Sequence, residues 1–95
     1  MNELEMLRIE IDKIDKEIIS LYEKRMDVVK KVTEYKIKNN IPVLDSSRES
    51  KMLEKNLNLI SKDEFKKYYV NVLSGFLKAS KEMQNDLING EKDDQ

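Results

Sequence analysis

The chain has 95 residues, 39% of them hydrophobic, which suits one small domain with a modest core. Its 18 basic and 19 acidic residues leave a net charge of -1, which argues against a general nucleic-acid binder. With no Cys and no His, disulfides, thiolate or His-ligated metal sites, Ser-His-Asp triads and Cys-His pairs are all excluded, and any chemistry must run on Arg, Lys, Glu, Asp, Gln, Ser or Tyr.

The first predicted helix runs from about Glu3 to about Asn39. Leu4, Leu7, Ile11, Ile14, Ile18 and Leu21 step by three and four, and Val28, Val32 and Tyr35 continue the steps. This heptad-like seam favours a long helix packed at a shallow angle. Asn39-Asn40-Ile41-Pro42 ends it, because Pro cannot continue a helix and disfavours α geometry before it. After a short loop, Ile41 to Leu44, Asp45-Ser46-Ser47-Arg48-Glu49 starts a second helix; Asp or Ser can cap, and Ser46 with Glu49 has capping-box spacing. Met52, Leu53, Leu57 and Ile60 are its inward residues. Ser61-Lys62-Asp63-Glu64 repeats the box pattern and opens a third helix. Its main stripe is Phe65, Tyr69, Val72, Phe76, Ala79 and Met83, widened by Leu73, Leu77 and Leu87. Gly90 is the predicted stop, giving a domain over residues 1–90 and a polar tail, 91–95, that should fray.

The fold class is therefore all-α, three helices per chain, one of them very long. A first helix of about 36 residues spans roughly 54 Å. The other two cannot cover such a seam, so a partner chain is expected and the assembly is an intertwined helical homodimer. No apolar run approaches a membrane span, and the charged, amphipathic N-terminus lacks a signal-peptide core. A soluble, cytoplasmic protein is expected.

Several polar residues fall where apolar ones are due. Arg25 occupies the gap in the seam between Leu21 and Val28. Lys36 follows it by three helical turns, on nearly the same face. In the third helix Ser80 and Gln84, one turn apart, stand between Leu77 and Leu87. Arg48 and Glu49 sit in the first turn of the second helix. Each has a bland reading. Arg25 alone reads equally as a register-setting residue paired with a buried acid. Lys36 alone is a solvated lysine covering apolar surface. Glu49 alone is a capping residue, Ser80 an ordinary helix serine, Gln84 a surface amide. As a set they describe a pocket that needs a negatively charged ligand to offset its cost. Arg8 stands beside the seam, about 26 Å from Arg25 by helical rise. It can approach an Arg25 only in a second chain running antiparallel.

At these residues the chain resembles the all-helical class of chorismate mutases, along its length up to about residue 88. The matching stretches are "LRIEIDKID" (7–15), "EKRMDVVKKVTEYK" (23–36), "IPVLDSSRE" (41–49) and "SKEMQ" (80–84), in order and at family-like separations. The resemblance implies conversion of chorismate to prephenate, on the route to Phe and Tyr, by a Claisen rearrangement in an interlocked dimer with two equivalent sites. It implies that Arg8 of the partner chain joins Arg25 and Arg48 in holding the two substrate carboxylates. Lys36 and Gln84 would hydrogen-bond the ether oxygen, and Glu49 would accept from the ring hydroxyl near the Asp45 backbone N–H. Ser80 would support a carboxylate. No metal or cofactor is implied, nor a nucleic-acid or membrane partner. Ninety-five residues leave no space for a fused dehydratase, dehydrogenase or regulatory domain.

The composition agrees with that chemistry, because a pericyclic rearrangement needs no nucleophile, proton transfer or metal. Two rivals stand beside it. An isochorismate pyruvate-lyase looks similar and shares the cationic clamp, but the Arg48-Glu49 pair suits a mutase better, since Glu49 then has a ring hydroxyl to read. A non-catalytic dimeric helical module would pair Arg25 with an acid across the seam, and Asp12 and Asp15 lie near Arg8.

Overall fold

The structure, a computed structural model, describes residues 2–93, and side-chain surroundings through residue 90. Three α-helices follow one another: α1 (Glu3–Lys38), α2 (Ser46–Leu59) and α3 (Lys66–Asp93), the last preceded by a 3-10 turn at Asp63–Phe65. Among the described residues there is no strand. Both α1 and α2 pack on α3, which is the central element.

α1 is a single unbroken helix of 36 residues. Asn2 caps its start, its side chain accepting from Glu5 N at 2.8 Å, with Glu3 and Glu5 in the first turn where the helix dipole favours negative charge. Its end is a Schellman closure: Ile41 N–H donates to Lys36 O at 2.8 Å and Asn40 N–H to Ile37 O at 3.3 Å. This closure places Asn40 at φ 56°, a left-handed position that asparagine tolerates better than most residues. The chain then doubles back, and Lys36 Nζ donates to Val43 O at 3.3 Å. The terminator read at Asn39-Asn40 is thus also the device that folds the loop over Lys36.

The α2 cap differs from the expected box. Asp45, not Ser46, is the N-cap, and its carboxylate accepts from Arg48 N–H at 3.2 Å and from the Ser47 hydroxyl at 2.7 Å. The second expected box is also absent. Lys62 precedes the 3-10 turn without a side-chain capping bond, Phe65 N–H donates to Lys62 O at 3.0 Å, and Asp63 pairs with Lys66 at 3.0 Å. A tight turn satisfies donors that a capping side chain would otherwise take. Gly90 does not stop α3, which continues to Asp93. Glycine in a helix costs only about 1 kcal/mol, and a run of helix formers carries through it. Helix therefore continues into Glu91–Asp93 of the expected tail; Asp94 and Gln95 lie outside the described residues.

The intrachain core is small. Leu73 is 3% exposed, Ser80 6% and Thr33 fully buried. The Thr33 hydroxyl donates back to Val29 O at 2.8 Å, so its burial leaves no lost hydrogen bond. On α1, the face turned toward its own chain carries Arg25, Met26, Val29, Thr33, Lys36 and Ile37. Residues 2–24 of α1 are exposed on every side, so Leu4, Leu7, Ile11, Ile14, Ile18 and Leu21 lie on the part of the helix that α2 and α3 do not cover, and Val28, Val32 and Tyr35 beyond them are exposed too. In α3 the buried stripe is centred on Leu73, Leu77, Ser80 and Gln84. Phe65 and Val72, expected in the main stripe, are 52% and 50% exposed. Phe65 lies in the 3-10 turn before α3, and Val72 on a flank of α3 that its own chain does not cover.

Candidate active site

A cavity of about 460 Å³ lies where the C-terminal half of α1, the 43–45 loop, the first turns of α2 and the middle of α3 converge. Small-molecule sites fall in this size range. Arg25, Lys36, Asp45, Arg48, Glu49, Ser80 and Gln84 all line it, together with apolar walls from Val28, Val32, Val43, Met52 and Leu77. These groups span 60 positions of sequence, from residue 25 to residue 84, and only the helix crossing gathers them. Arg8 does not line it, because α1 is one unbroken helix through both positions and carries Arg8 several turns away.

Arg25 projects from the buried face of α1 across to α3. Its Nη1 donates to Ser80 Oγ at 2.7 Å, and Ser80 Oγ donates in turn to Phe76 O at 2.9 Å. Its Nη2 reaches Met52 Sδ at 3.9 Å, and the guanidinium carbon lies 5.7 Å from the centre of the Phe76 ring. The guanidinium is therefore oriented by a hydroxyl, a thioether and a π face. Among the described residues the ion pairs are Lys66–Asp63 and Lys81–Glu49, so Arg25 has no acidic partner among them. A half-buried arginine without a counter-ion leaves its full charge to act on an anion in the cavity. Lys36 is half-buried too; its hydrogen-bond partner is the Val43 carbonyl, and its charge also acts on the Asp45 carboxylate.

Asp45 serves the site by starting α2. Its carboxyl is held below the ordinary aspartate value, chiefly by the Ser47 hydroxyl, then by the Arg48 backbone N–H. The folded value is lowered, so the cap's contribution is fully present above the unfolded aspartate value of about 3.9 and is lost as pH falls through the folded one. Asp45→Asn keeps an oxygen acceptor and removes the titration. Thermal melts from neutral pH to about pH 3 should show the gap between wild type and Asp45→Asn narrowing in acid. A constant gap would mean that this carboxylate does not contribute to α2.

The sequence patterns did not single out Lys81. It lines the cavity and pairs through Nζ with Glu49 Oε1 at 2.9 Å, joining α3 to α2. The available signal was its position four residues after Leu77, one turn along an inward row. Lys24 also lines the cavity. Five basic side chains (Lys24, Arg25, Lys36, Arg48 and Lys81) thus face two acidic ones, Asp45 and Glu49. Among the described residues no group of three or more His, Cys, Asp or Glu side chains is placed to hold a metal ion. No helix there is long and apolar enough to cross a membrane.

Three helices closing on a cation-rich, hydrogen-bonding cavity define an all-α domain with a pocket of small-molecule size. Comparison with known proteins gives its family: residues 7–85 match the model described as chorismate mutase type II, and the chain belongs to that family. It is 43% identical over 72 residues to the bifunctional chorismate mutase/prephenate dehydratase of Buchnera aphidicola subsp. Schizaphis graminum, an overlap of 76% of this chain and 19% of that protein. The protein of that name from Aquifex aeolicus is 44% identical over 59 residues, 62% of this chain and 16% of the relative. The T-protein of Haemophilus influenzae is 39% identical over 54 residues, 57% of this chain and 14% of the relative. The chain spans about a fifth or less of the length of these relatives. No solved structure matches it.

Proposed function

We propose that this chain is a chorismate mutase, an isomerase that rearranges chorismate to prephenate in aromatic amino acid biosynthesis. The observation that carries the reading is the cavity itself. It brings Arg25, Lys36, Arg48, Ser80 and Gln84 together, with no carboxylate among the described residues paired to Arg25.

The reaction breaks one C–O bond and forms one C–C bond within a flexible dianion. The protein's task is to hold the chair geometry that brings the reacting carbons together. Arg25 and Arg48, whose planar forks suit two-point carboxylate contacts, would clamp the two carboxylates. Ser80, hydrogen-bonded to Arg25, would fix the guanidinium and support the same carboxylate. As the C–O bond breaks, the ether oxygen gains negative charge. Lys36 and Gln84, aimed there beforehand, would stabilise that charge more than the ground state. Glu49 would accept from the ring hydroxyl, beside the Asp45 backbone N–H.

Two features support a homodimer with shared sites. The accessible surface is 8067 Å², whereas a compact monomer of this mass exposes about 5,700 Å². The radius of gyration is 17.2 Å, against about 12 Å for a compact chain of this length. The excess surface includes the apolar seam of α1, and an obligate dimer buries area on this scale. Two such helices packed antiparallel bring Arg8 of one chain to the cavity of the other. The reading further takes the enzyme to be cytoplasmic.

The direct test is loss of chorismate absorbance with purified protein, with prephenate identified as product. Absence of prephenate would end the reading, and pyruvate release from isochorismate would redirect it to the lyase. Gln84 supplies a finer test. A Glu at this position donates only while protonated, and ionised it would oppose the negative charge growing on the ether oxygen. Lys36 would favour the ionised form and burial would oppose it. Gln84→Glu should therefore move the activity optimum to acid, with the neutral-pH loss mainly in kcat. Parallel pH-rate profiles for wild type and variant would remove Gln84 from the reacting oxygen.

A further inference from the structure

Glu49 poses an electrostatic problem. It is an acidic side chain lining a cavity that, on the reading above, receives a dianion. A carboxylate there repels the ligand unless its charge is offset. The structure supplies the offset from another helix. Lys81 Nζ of α3 lies 2.9 Å from Glu49 Oε1 of α2. Unlike the local Lys66–Asp63 pair, whose acid is 89% exposed, this contact spans 32 positions and its Glu49 side chain is 27% exposed. Lys81 is 47% exposed, so the pair is only partly shielded, and its charge acts at the cavity wall at reduced strength.

The pair also has a place in the architecture. Glu49, Leu77 and Lys81 line the main cavity on one side and a second groove between α2 and α3 on the other. They form the partition between the two. With one Glu49 oxygen held by Lys81, the carboxylate is fixed in the wall rather than free to swing into the groove, and its other oxygen can meet the ligand.

We propose that Lys81 is a positioning residue for the reaction: it fixes the Glu49 carboxylate and cancels its charge, so that an acid can read the hydroxyl of a dianionic substrate. This rests on the chorismate mutase reading and assigns a residue that the reading leaves without a role.

The experiment is a double-mutant cycle with chorismate, using Lys81→Met, Glu49→Gln, the double variant and Lys81→Arg. Lys81→Met should raise KM about tenfold, a change of about 1.4 kcal/mol, with a smaller effect on kcat. Its melting temperature should stay within about 2 °C of wild type, since an ion pair at a half-exposed position adds little stability. In the Glu49→Gln background, with no charge to offset, the same substitution should change KM less than about twofold. Lys81→Arg should retain most of the wild-type affinity. Equal losses in both backgrounds would overturn the proposal, since Lys81 would then act on the substrate directly or on the fold. So would a Lys81→Met variant with unchanged KM. Wild-type turnover is measured first. Its absence sinks the chorismate mutase reading and this inference with it, whereas a normal wild type with an unaffected Lys81→Met sinks this inference alone.

Discussion

Arg25→Leu should lose chorismate turnover by roughly a hundred- to thousandfold while its melting temperature holds or rises. The loss follows from removing a fixed cation that acts on the substrate in a partly dry cavity. The stability follows from what Arg25 touches now. Its contacts are Ser80 Oγ, Met52 Sδ and the Phe76 ring, with no counter-ion among the described residues. Leucine can pack on the thioether and the ring. Ser80 keeps its donated hydrogen bond to Phe76 O, so no buried donor is stranded. Removing a half-buried charge whose desolvation is not repaid by an acid is the kind of change that leaves a fold neutral or more stable. Thermal melts and steady-state kinetics on the same preparation check both halves. A variant that unfolds, yet keeps its specific activity in the folded fraction, would make Arg25 a structural residue.

Arg8→Ala and Arg25→Ala should each be nearly inactive, and mixing them should restore about a quarter of wild-type activity through hybrid dimers. Random exchange makes half of the dimers hybrid. In each hybrid one site combines an intact Arg8 with an intact Arg25, and the other site lacks both. The motive is the unbroken α1, which keeps Arg8 out of the cavity that Arg25 lines. If native mass spectrometry shows that the subunits exchange and the mixture stays inactive, Arg8 does not serve a partner's site.

The helices were legible because their signals are local. Apolar residues at three- and four-residue steps, with Pro42 and the Asn39-Asn40 pair as breaks, placed α1 and α2 within a residue or two of their observed bounds. The charged and amide residues that interrupt apolar rows pointed to the cavity lining, because a buried polar group is costly unless something uses it. Arg8 entered through its place beside the seam and the helical rise that parts it from Arg25, and the likeness to the chorismate mutases added its carboxylate-holding role.

Capping was less legible. Asp45 and Ser46 are both good caps one residue apart, and only the backbone entering α2 selects Asp45. Gly90 resembled a stop, yet α3 runs on because glycine weakens a helix without breaking it.

What the sequence determined by itself is the number of helices, the great length of the first, the chemistry available to a chain without Cys or His, and the polar interruptions along its apolar rows. Those are properties of composition and of periodicity along one chain. The tertiary structure decided which rows are buried. Periodicity shows that a helix has an apolar face, but not which stretch of it the other helices cover; within the chain only the part of α1 from Arg25 to Ile37 is covered, on the side bearing Arg25, Val29 and Thr33. The more regular seam is left outside the chain's own core. The packing of α2 on α3 brings Lys81 to Glu49. An ion pair between helices depends on their relative position in space, which no spacing within either helix encodes.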